Sequence, residues 1–255
     1  MPDNKIKTDD KKQHFDDIYV AATPVPYKVR ILDELSYISD NFNREMFDAH
    51  IMPWIQKNQG GGNKLEFVDL CACFGNTTMA TVYGMTYDQI CENWKDDTAC
   101  MEIQGKRRFD CNITAADISA PAMAYGQKVG LYDTGLVCNL NERGEEAFGK
   151  MVETMKTADI LLSTAALVYL DLESIEALVS AFATGKSGGG YVLVNFLNPF
   201  ALEKADDTKR ILLKHLEFVG SRATRHRRLS PLEQANYPGE EWSLLELWVL
   251  KRRAQ

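Results

Sequence analysis

Two segments of the chain combine small residues with carboxylates in a pattern that could hold a ligand. The first is the run Val-Asp-Leu-Cys-Ala-Cys-Phe-Gly-Asn-Thr at 68–77, whose small side chains would let a ligand approach the backbone. A helix that follows such a turn offers unpaired N–H groups. The second is Asp117-Ile118-Ser119, because a carboxylate at a strand end can accept hydrogen bonds from a ribose diol. Taken singly, each segment also fits a structural role, as a tight strand-to-helix turn or as a solvated or capping aspartate.

The elements that must position these segments alternate between strand and helix patterns. Strand-like runs occur at 65–70, 111–116, 136–140, 160–163 and 190–197. Helix patterns lie between them, with Thr86, Ser119 and Asp171 as N-cap residues, whereas the strand-like runs 218–228 and 244–250 have no helix pattern between them. This order predicts an α/β fold with a doubly wound, mostly parallel seven-stranded sheet and an antiparallel last strand. In such a sheet, ligands bind at the carboxyl ends of the strands.

The first sixty residues differ from the rest of the chain. Residues 1–17 are polar and charge-dense, so we expect a frayed start. A helical pattern follows over about 17–54, in which apolar residues recur at positions 29, 32, 35 and 38. The run Gln-Gly-Gly-Gly-Asn at 59–63 then breaks regular structure. We therefore divide the chain into an N-terminal helical extension at 1–60 and an α/β domain at 61–255.

Composition and charge argue against several classes of protein. No apolar run approaches the roughly 18 residues of a membrane span, and the charged N-terminus lacks the apolar stretch of a secretory signal. The net charge of −7 argues against a general affinity for nucleic acid. The six cysteines include no C-x-x-C pair, so we expect no metal site and free thiols in a reducing cytoplasm.

With these motifs and this order of elements, the chain resembles the class I S-adenosylmethionine-dependent methyltransferases over about residues 60–255. The resemblance rests on Val68-Asp69-Leu70 with Gly75, on Asp117-Ile118-Ser119 and on the terminal strand pair. It implies S-adenosylmethionine as the cofactor, with Asp69 near its methionine end and Asp117 on its ribose. Residues after the third strand would lie near the adenine, and residues after the fourth near the methionine and the acceptor. The cofactor-binding residues that it implies are Asp69, Cys71, Ala72, Cys73, Gly75, Asn76, Asp117, Ile118, Asn139, Leu140, Ser163 and Thr164.

The turn departs from the Gly-x-Gly-x-Gly that this family commonly has, because Cys71 and Cys73 replace its first two glycines. Cysteine disfavours a positive φ, so the turn either keeps negative φ at both positions or is strained. The same replacement counts more heavily against a nicotinamide dehydrogenase, whose pyrophosphate needs the second glycine. An NAD-dependent oxidoreductase and a non-catalytic cofactor-binding module are therefore the less favoured alternatives.

Acceptor-side residues follow from weaker patterns. Aromatic faces attract a sulfonium, and the extension often forms a lid in this family, so Tyr19 and Tyr27 could enter the site. Tyr169 follows the fourth strand and is the first candidate on the acceptor side; it and Tyr27 are also candidate catalytic residues. Positioning supplies much of the rate of methyl transfer, but a neutral amine or alcohol also needs a base, for which His226 is one candidate.

A basic stretch at 222–228 could capture an anionic acceptor. On a strand, Arg225 and Arg227 would share one face and could bind a carboxylate; the stretch also fits an edge strand protected by charge. We predict a cytoplasmic enzyme that methylates a small molecule, with a carboxylate as the first-ranked acceptor and an amine or alcohol next. We expect no nucleic-acid or membrane partner, and the sequence indicates no oligomeric state.

Overall fold

A computed structural model describes residues 12–58, 64–186, 189–200 and 202–253. The breaker at 59–63 and most of the predicted frayed start lie outside the described residues. The strands are β1 (Leu65–Leu70), β2 (Cys111–Asp117), β3 (Thr134–Val137), β4 (Ile160–Ser163), β5 (Tyr191–Asn198), β6 (Leu216–Arg228) and β7 (Trp242–Arg252). The α-helices are α1 (Asp16–Tyr19), α2 (Val25–Tyr27), α3 (Ser39–His50), α4 (Met52–Asn58), α5 (Asn76–Val82), α6 (Tyr87–Asn93), α7 (Ala120–Lys128), α8 (Glu146–Thr157), α9 (Leu172–Thr184), α10 (Leu202–His215) and α11 (Pro231–Asn236).

The strands form one sheet in the order β3-β2-β1-β4-β5-β7-β6. Strands β1 to β5 pair in parallel, and β7 is antiparallel to both β5 and β6. The predicted doubly wound, seven-stranded sheet with an antiparallel last strand is therefore confirmed. Leu70 is opposite both Ala116 and Ser163, so β1, β2 and β4 end side by side at one edge of the sheet.

Two hydrophobic clusters cover the two faces of this sheet. Phe67 and Ala115 belong to the cluster under α3 to α7, whereas Val68 belongs to the cluster under α8 to α10. Because side chains alternate along a strand, Asp69 and Asp117 point to the same face as Phe67 and Ala115. The carboxylates at the ends of β1 and β2 therefore face the N-terminal helices.

Local sequence signals locate most of the helix starts. Thr86 forms a capping box with Gln89, and Ser119 and Asp171 accept N–H groups of the following helices, so the three predicted N-caps are confirmed. The predicted absence of a helix between the last two strands is wrong. There, Ser230 and Glu233 form a capping box at the start of α11, which is too short to show a helical period.

Other boundaries differ from the predictions in physically simple ways. The N-terminal segment forms several short helices, including a π-helical turn over Lys28–Asp33, rather than one long helix. The third strand ends at Val137, which leaves Asn139 and Leu140 in the loop beyond it. Within the described ranges, no helix is both long and apolar enough to cross a membrane.

Candidate functional site

The turn between β1 and α5 has a left-handed backbone. The φ angle is 55° at Cys71, 50° at Cys73 and 88° at Gly75. A non-glycine residue in this region costs roughly 1–2 kcal/mol. Of the two conformations that the sequence allowed for Cys71 and Cys73, the turn therefore has the strained one, with positive φ. Ala165, just after β4, has the same strain with a φ of 56°. Backbone strain of this kind concentrates at functional sites.

Hydrogen bonds from β2 hold the strained turn in place. The carboxylate of Asp117 accepts the N–H of Cys73 at 2.9 Å, and the carbonyl of Ala116 accepts the N–H of Ala72 at 3.1 Å. Gly75 allows a close approach, since a Cβ at this position would lie 2.4 Å from the phenol oxygen of Tyr132. The small residues of the turn therefore serve its packing as well as any ligand.

The carboxylates at the ends of β1 and β2 are both buried. Asp69 is 3% exposed and accepts the hydroxyl of Thr78 at 2.6 Å, while burial raises its pKa to about 7. Asp117 accepts the N–H of Ser119 at 2.8 Å besides that of Cys73, and burial raises its pKa too. Both side chains are thus held in fixed positions at the edge of the sheet.

A third carboxylate, Asp40 on α3, faces them from the N-terminal segment. It accepts the side-chain amide of Asn76 at 2.7 Å and the hydroxyl of Thr77 at 2.8 Å, which ties α3 to the start of α5. Burial raises the pKa of Asp40 to about 6. Besides burial, the negative charges of Asp117 and Asp40 also raise the pKa of Asp69.

In the part of the chain that the structure describes, these three carboxylates have no cationic partner. Within the described residues, no lysine, arginine or histidine forms an ion pair with any of them. A buried charge without a partner is strongly destabilising. The cluster is therefore suited to a ligand that brings positive charge.

Tyrosines of the N-terminal segment lie against this cluster. The ring centroids of Tyr19 and Tyr27 are 6.1 Å apart, and the carbonyl of Tyr19 accepts the hydroxyl of Ser119. Burial, and then the neighbouring groups Cys73, Tyr169 and Asp117, raise the pKa of the Tyr19 phenol. The structure thus places Tyr19 beside Ser119, which follows Asp117 closely in the chain.

Tyr27 lies deeper than Tyr19. It is 5% exposed, and its ring packs against those of Phe74 at 6.1 Å and Trp94 at 6.2 Å. Burial raises its pKa well above the ordinary value. The phenol of Tyr27 therefore stays protonated and belongs to the packing beneath the cluster.

Unpaired polar atoms lie at the end of β4 and beside it on β5. Among the described residues, the hydroxyls of Ser163 and Thr164 and the amide nitrogen of Asn195 are buried without a hydrogen-bond partner. The side-chain oxygen of Asn195 accepts the N–H of Ala165 at 2.7 Å and so holds that strained residue in place. Buried polar atoms are normally paired, so three unpaired ones on neighbouring strands mark a place for a polar ligand.

The residues predicted to lie near the adenine, Asn139 and Leu140, follow β3, and two apolar side chains are exposed close to the ends of β2 and β3. Ile118 is 45% exposed beside Asp117, and Val137, which pairs with Asp117, is 50% exposed. The side-chain oxygen of Asn139 accepts the N–H of Asn141 at 3.1 Å. The side chain of Leu140 is in the hydrophobic core, so this residue offers the edge of the sheet only its backbone.

The basic residues of β6 do not lie as predicted. A β-bulge between Arg225 and Arg227 changes the register, so the prediction that they share one face is wrong. The guanidinium of Arg225 lies 5.0 Å from the ring of Trp242 and is exposed. Arg227 is 4% exposed and forms two hydrogen bonds of 2.7 Å with Glu233.

His226 is built into the contact between β6 and the N-terminal segment. Its Nδ1 lies 3.0 Å from the hydroxyl of Ser39, and its ring packs edge-on against Tyr37. Its carbonyl accepts the N–H of Ile38 at 3.0 Å. Burial lowers the pKa of His226 well below its ordinary value, so the imidazole is neutral and holds the segment in place.

Sequence reasoning missed three residues of this region. Asp40 and Asn195 lie within a helix and a strand, and only the packing of α3 on α5 and of β5 beside β4 brings them to the site. Lys12 donates a hydrogen bond to the phenol oxygen of Tyr169 from 157 residues away in the chain. Its position in a polar, charge-dense start carries no signal for such a contact.

No protein-family model matches the chain, and no curated protein matches it in sequence. Among solved structures, it is similar to magnesium protoporphyrin IX methyltransferase from Synechocystis PCC 6803, with 12% identity, a TM-score of 0.48 and coverage of 93% of this chain and 94% of that one. It is also similar to the N-methyltransferase NodS from Bradyrhizobium japonicum, with 10% identity, a TM-score of 0.47 and coverage of 96% and 99%. Because both TM-scores are below 0.5, the fold class rests on the strand order itself.

Proposed function

We propose that the protein transfers a methyl group from S-adenosylmethionine to a small-molecule acceptor. The observation that carries this proposal is the buried cluster of Asp40, Asp69 and Asp117, which lies beside Tyr19 and has no cationic partner among the described residues. S-Adenosylmethionine offers a sulfonium, an ammonium and a ribose diol. Carboxylates and aromatic faces attract such cations, so the cluster and the cofactor are complementary in charge.

The residues at the edge of the sheet fit the parts of this cofactor. Asp117 makes two hydrogen bonds with backbone N–H groups, and a carboxylate has further lone pairs with which it can accept ribose hydroxyls. Exposed Ile118 and Val137 offer apolar surface for an adenine. Asp69 would face the methionine end, and the unpaired hydroxyls of Ser163 and Thr164 would lie between cofactor and acceptor.

When bound, the cofactor supplies an activated methyl group. The chain then has to exclude water and to hold the acceptor in line with that methyl group. In this proposal the N-terminal segment is a lid, which Asp40 ties to α5 and Ser39 ties to His226. His226 acts here as a positioning residue, since its ring is buried and its Nδ1 faces Ser39.

The contacts of the arginines change the ranking of acceptors. Glu233 already neutralises Arg227, and Arg225 is stacked on Trp242 at the surface. A carboxylate acceptor therefore loses the support of the predicted arginine pair. An acceptor that is neutral or cationic agrees better with the rings of Tyr169 and Phe200 on this side of the site.

Calorimetric titration tests the cofactor directly. S-Adenosylmethionine, S-adenosylhomocysteine and NAD are titrated into the wild-type protein, into Asp117→Ala and into Asp133→Ala as a matched control. Asp133 pairs with Arg107 away from the cluster. We expect micromolar binding of the first two ligands that Asp117→Ala abolishes and Asp133→Ala leaves intact. Preferential binding of NAD, or equal binding by Asp117→Ala, would contradict the proposal.

A further inference from the structure

A lysine from the N-terminal segment occupies an aromatic pocket on the acceptor side of the site. Lys12 is 9% exposed, and its ammonium lies 4.6 Å from the ring centroid of Tyr169 and 5.9 Å from that of Phe200. It also donates a hydrogen bond to the phenol oxygen of Tyr169. Among the described residues, no carboxylate forms an ion pair with it. An ammonium is held here by aromatic faces and one phenol oxygen.

This pocket lies where the reacting end of an acceptor belongs. Tyr169 is in the 3₁₀ turn Leu167–Tyr169 after β4, and Phe200 follows the end of β5. The end of β4, from which this turn departs, lies beside the end of β1, because Ser163 is opposite Leu70. The aromatic pocket, defined by Tyr169 and Phe200, is therefore adjacent to the proposed cofactor site.

The residues that follow Lys12 hold it in the pocket. The N–H of the next residue, Gln13, donates to Glu233 at 3.1 Å, and Phe15 is buried with the guanidinium of Arg227 5.6 Å from its ring. The buried ion pair of Arg227 and Glu233 thus anchors the backbone beside Lys12. The lysine side chain then reaches the pocket as an intramolecular ligand.

We propose that the aromatic pocket is the binding site for an alkylamine acceptor and that Lys12 fills it in the unliganded chain. The proposal rests on the proposed function and names its substrate class. In the reaction, the acceptor ammonium first gives one proton to water, before the lid excludes solvent, and becomes a neutral amine. Its nitrogen lone pair then forms the bond to the methyl carbon, the carbon–sulfur bond breaks, and S-adenosylhomocysteine leaves as a neutral thioether.

Binding of n-butylamine tests this proposal, because it reproduces the lysine side chain from Cβ to Nζ. Titrations of the full chain are made with S-adenosylhomocysteine present, and butyrate is the probe of opposite charge. An intramolecular competitor acts at an effective concentration in the millimolar range. We therefore expect Lys12→Ala to bind butylamine at least about tenfold more tightly than the wild type. Lys12→Arg keeps a cation in the pocket and should bind it like the wild type.

A second variant locates the binding. Tyr169→Leu combined with Lys12→Ala should lose the gained affinity, with folding checked by the thermal midpoint. The amine-pocket proposal would be overturned if Lys12→Ala gained no affinity for butylamine, or if butyrate bound in place of butylamine. In either case, binding of S-adenosylhomocysteine would still support the proposed function. If S-adenosylhomocysteine does not bind at all, the proposed function fails, and the same comparison without it still decides whether the pocket takes an amine.

Discussion

Replacing Asp69 by asparagine should stabilise the free protein while removing its ligand binding. Asp69 is 3% exposed, and its charge has no ion-pair partner among the described residues. Asparagine has the same shape without the charge, and its side-chain oxygen can still accept the hydroxyl of Thr78. The substitution therefore isolates the cost of the buried charge.

The magnitude follows from the pKa of Asp69. Burial raises this pKa to about 7 in the folded protein, against an ordinary value near 4. Because the folded state binds the proton more tightly, its stability falls as the pH rises from 4 to 7, and the full penalty applies above 7. Each pKa unit is worth about 1.4 kcal/mol, so Asp69→Asn should gain up to about 4 kcal/mol at pH 8 and less than about 1 kcal/mol at pH 4.

Urea unfolding at both pH values measures this gain. Asp133→Asn is the control of opposite sign, because the hydrogen bond from Arg107 and that from the N–H of Ile113 lower the pKa of Asp133 despite its partial burial. Its replacement should reduce the free energy of unfolding at pH 8, and most of that loss should remain at pH 4, because it disappears only as the pH falls further through the lowered pKa. An Asp69→Asn protein no more stable than the wild type at pH 8 would refute the idea that this charge is uncompensated.

Three further predictions concern the turn and the lid. Because the φ of Cys73 is 50°, the Cys73→Gly protein should be about 1 kcal/mol more stable than the Cys73→Ala protein. As a control in the same turn, Ala72→Gly should reduce the stability by about 0.5–1 kcal/mol. Thermal unfolding of the three variants gives the signs, and a Cys73→Gly protein less stable than Cys73→Ala would exclude strain at this position. Gly75→Ala places a Cβ 2.3 Å from a side-chain carbon of Leu131 and should cost about 2 kcal/mol in urea unfolding; an unchanged midpoint would show that the neighbours yield freely. Arg227→Ala leaves Glu233 buried without its partner and should cost about 3 kcal/mol. The double variant Arg227→Leu with Glu233→Gln should restore part of this loss, because glutamine keeps an oxygen for the N–H groups of Ser230 and Gln13; equal losses in both would contradict the pairing argument.

Much of the sheet could be predicted because its signals are local. The bounds of β1 and β4 agree with apolar runs in the sequence, and three helix starts agree with capping residues. Alternation of strands and helices then leaves few possible topologies. The carboxylates at the ends of β1 and β2 follow from the same reasoning, since their positions depend only on strand ends.

Features that depend on contacts distant in sequence could not be predicted. Asp40 reaches the site only because α3 packs on α5. Arg225 and Arg227 do not share one face of β6, because the β-bulge between them shifts the alternation of side chains between the two faces. The left-handed φ at Cys71 and Cys73 contradicts local preference, and Asp117, one strand away, provides a hydrogen bond that holds the turn.

The central claim is that unpaired buried carboxylates hold a cationic cofactor, and proton-linked calorimetry tests it most directly. S-Adenosylmethionine is titrated between pH 5.5 and 7.5 in two buffers of different ionisation enthalpy. Because the free protein holds a proton on Asp69 with a pKa of about 7, binding that requires the carboxylate should strengthen about twentyfold over this range and release protons at the lower pH. Affinity that is independent of pH, with no proton release, would contradict the claim.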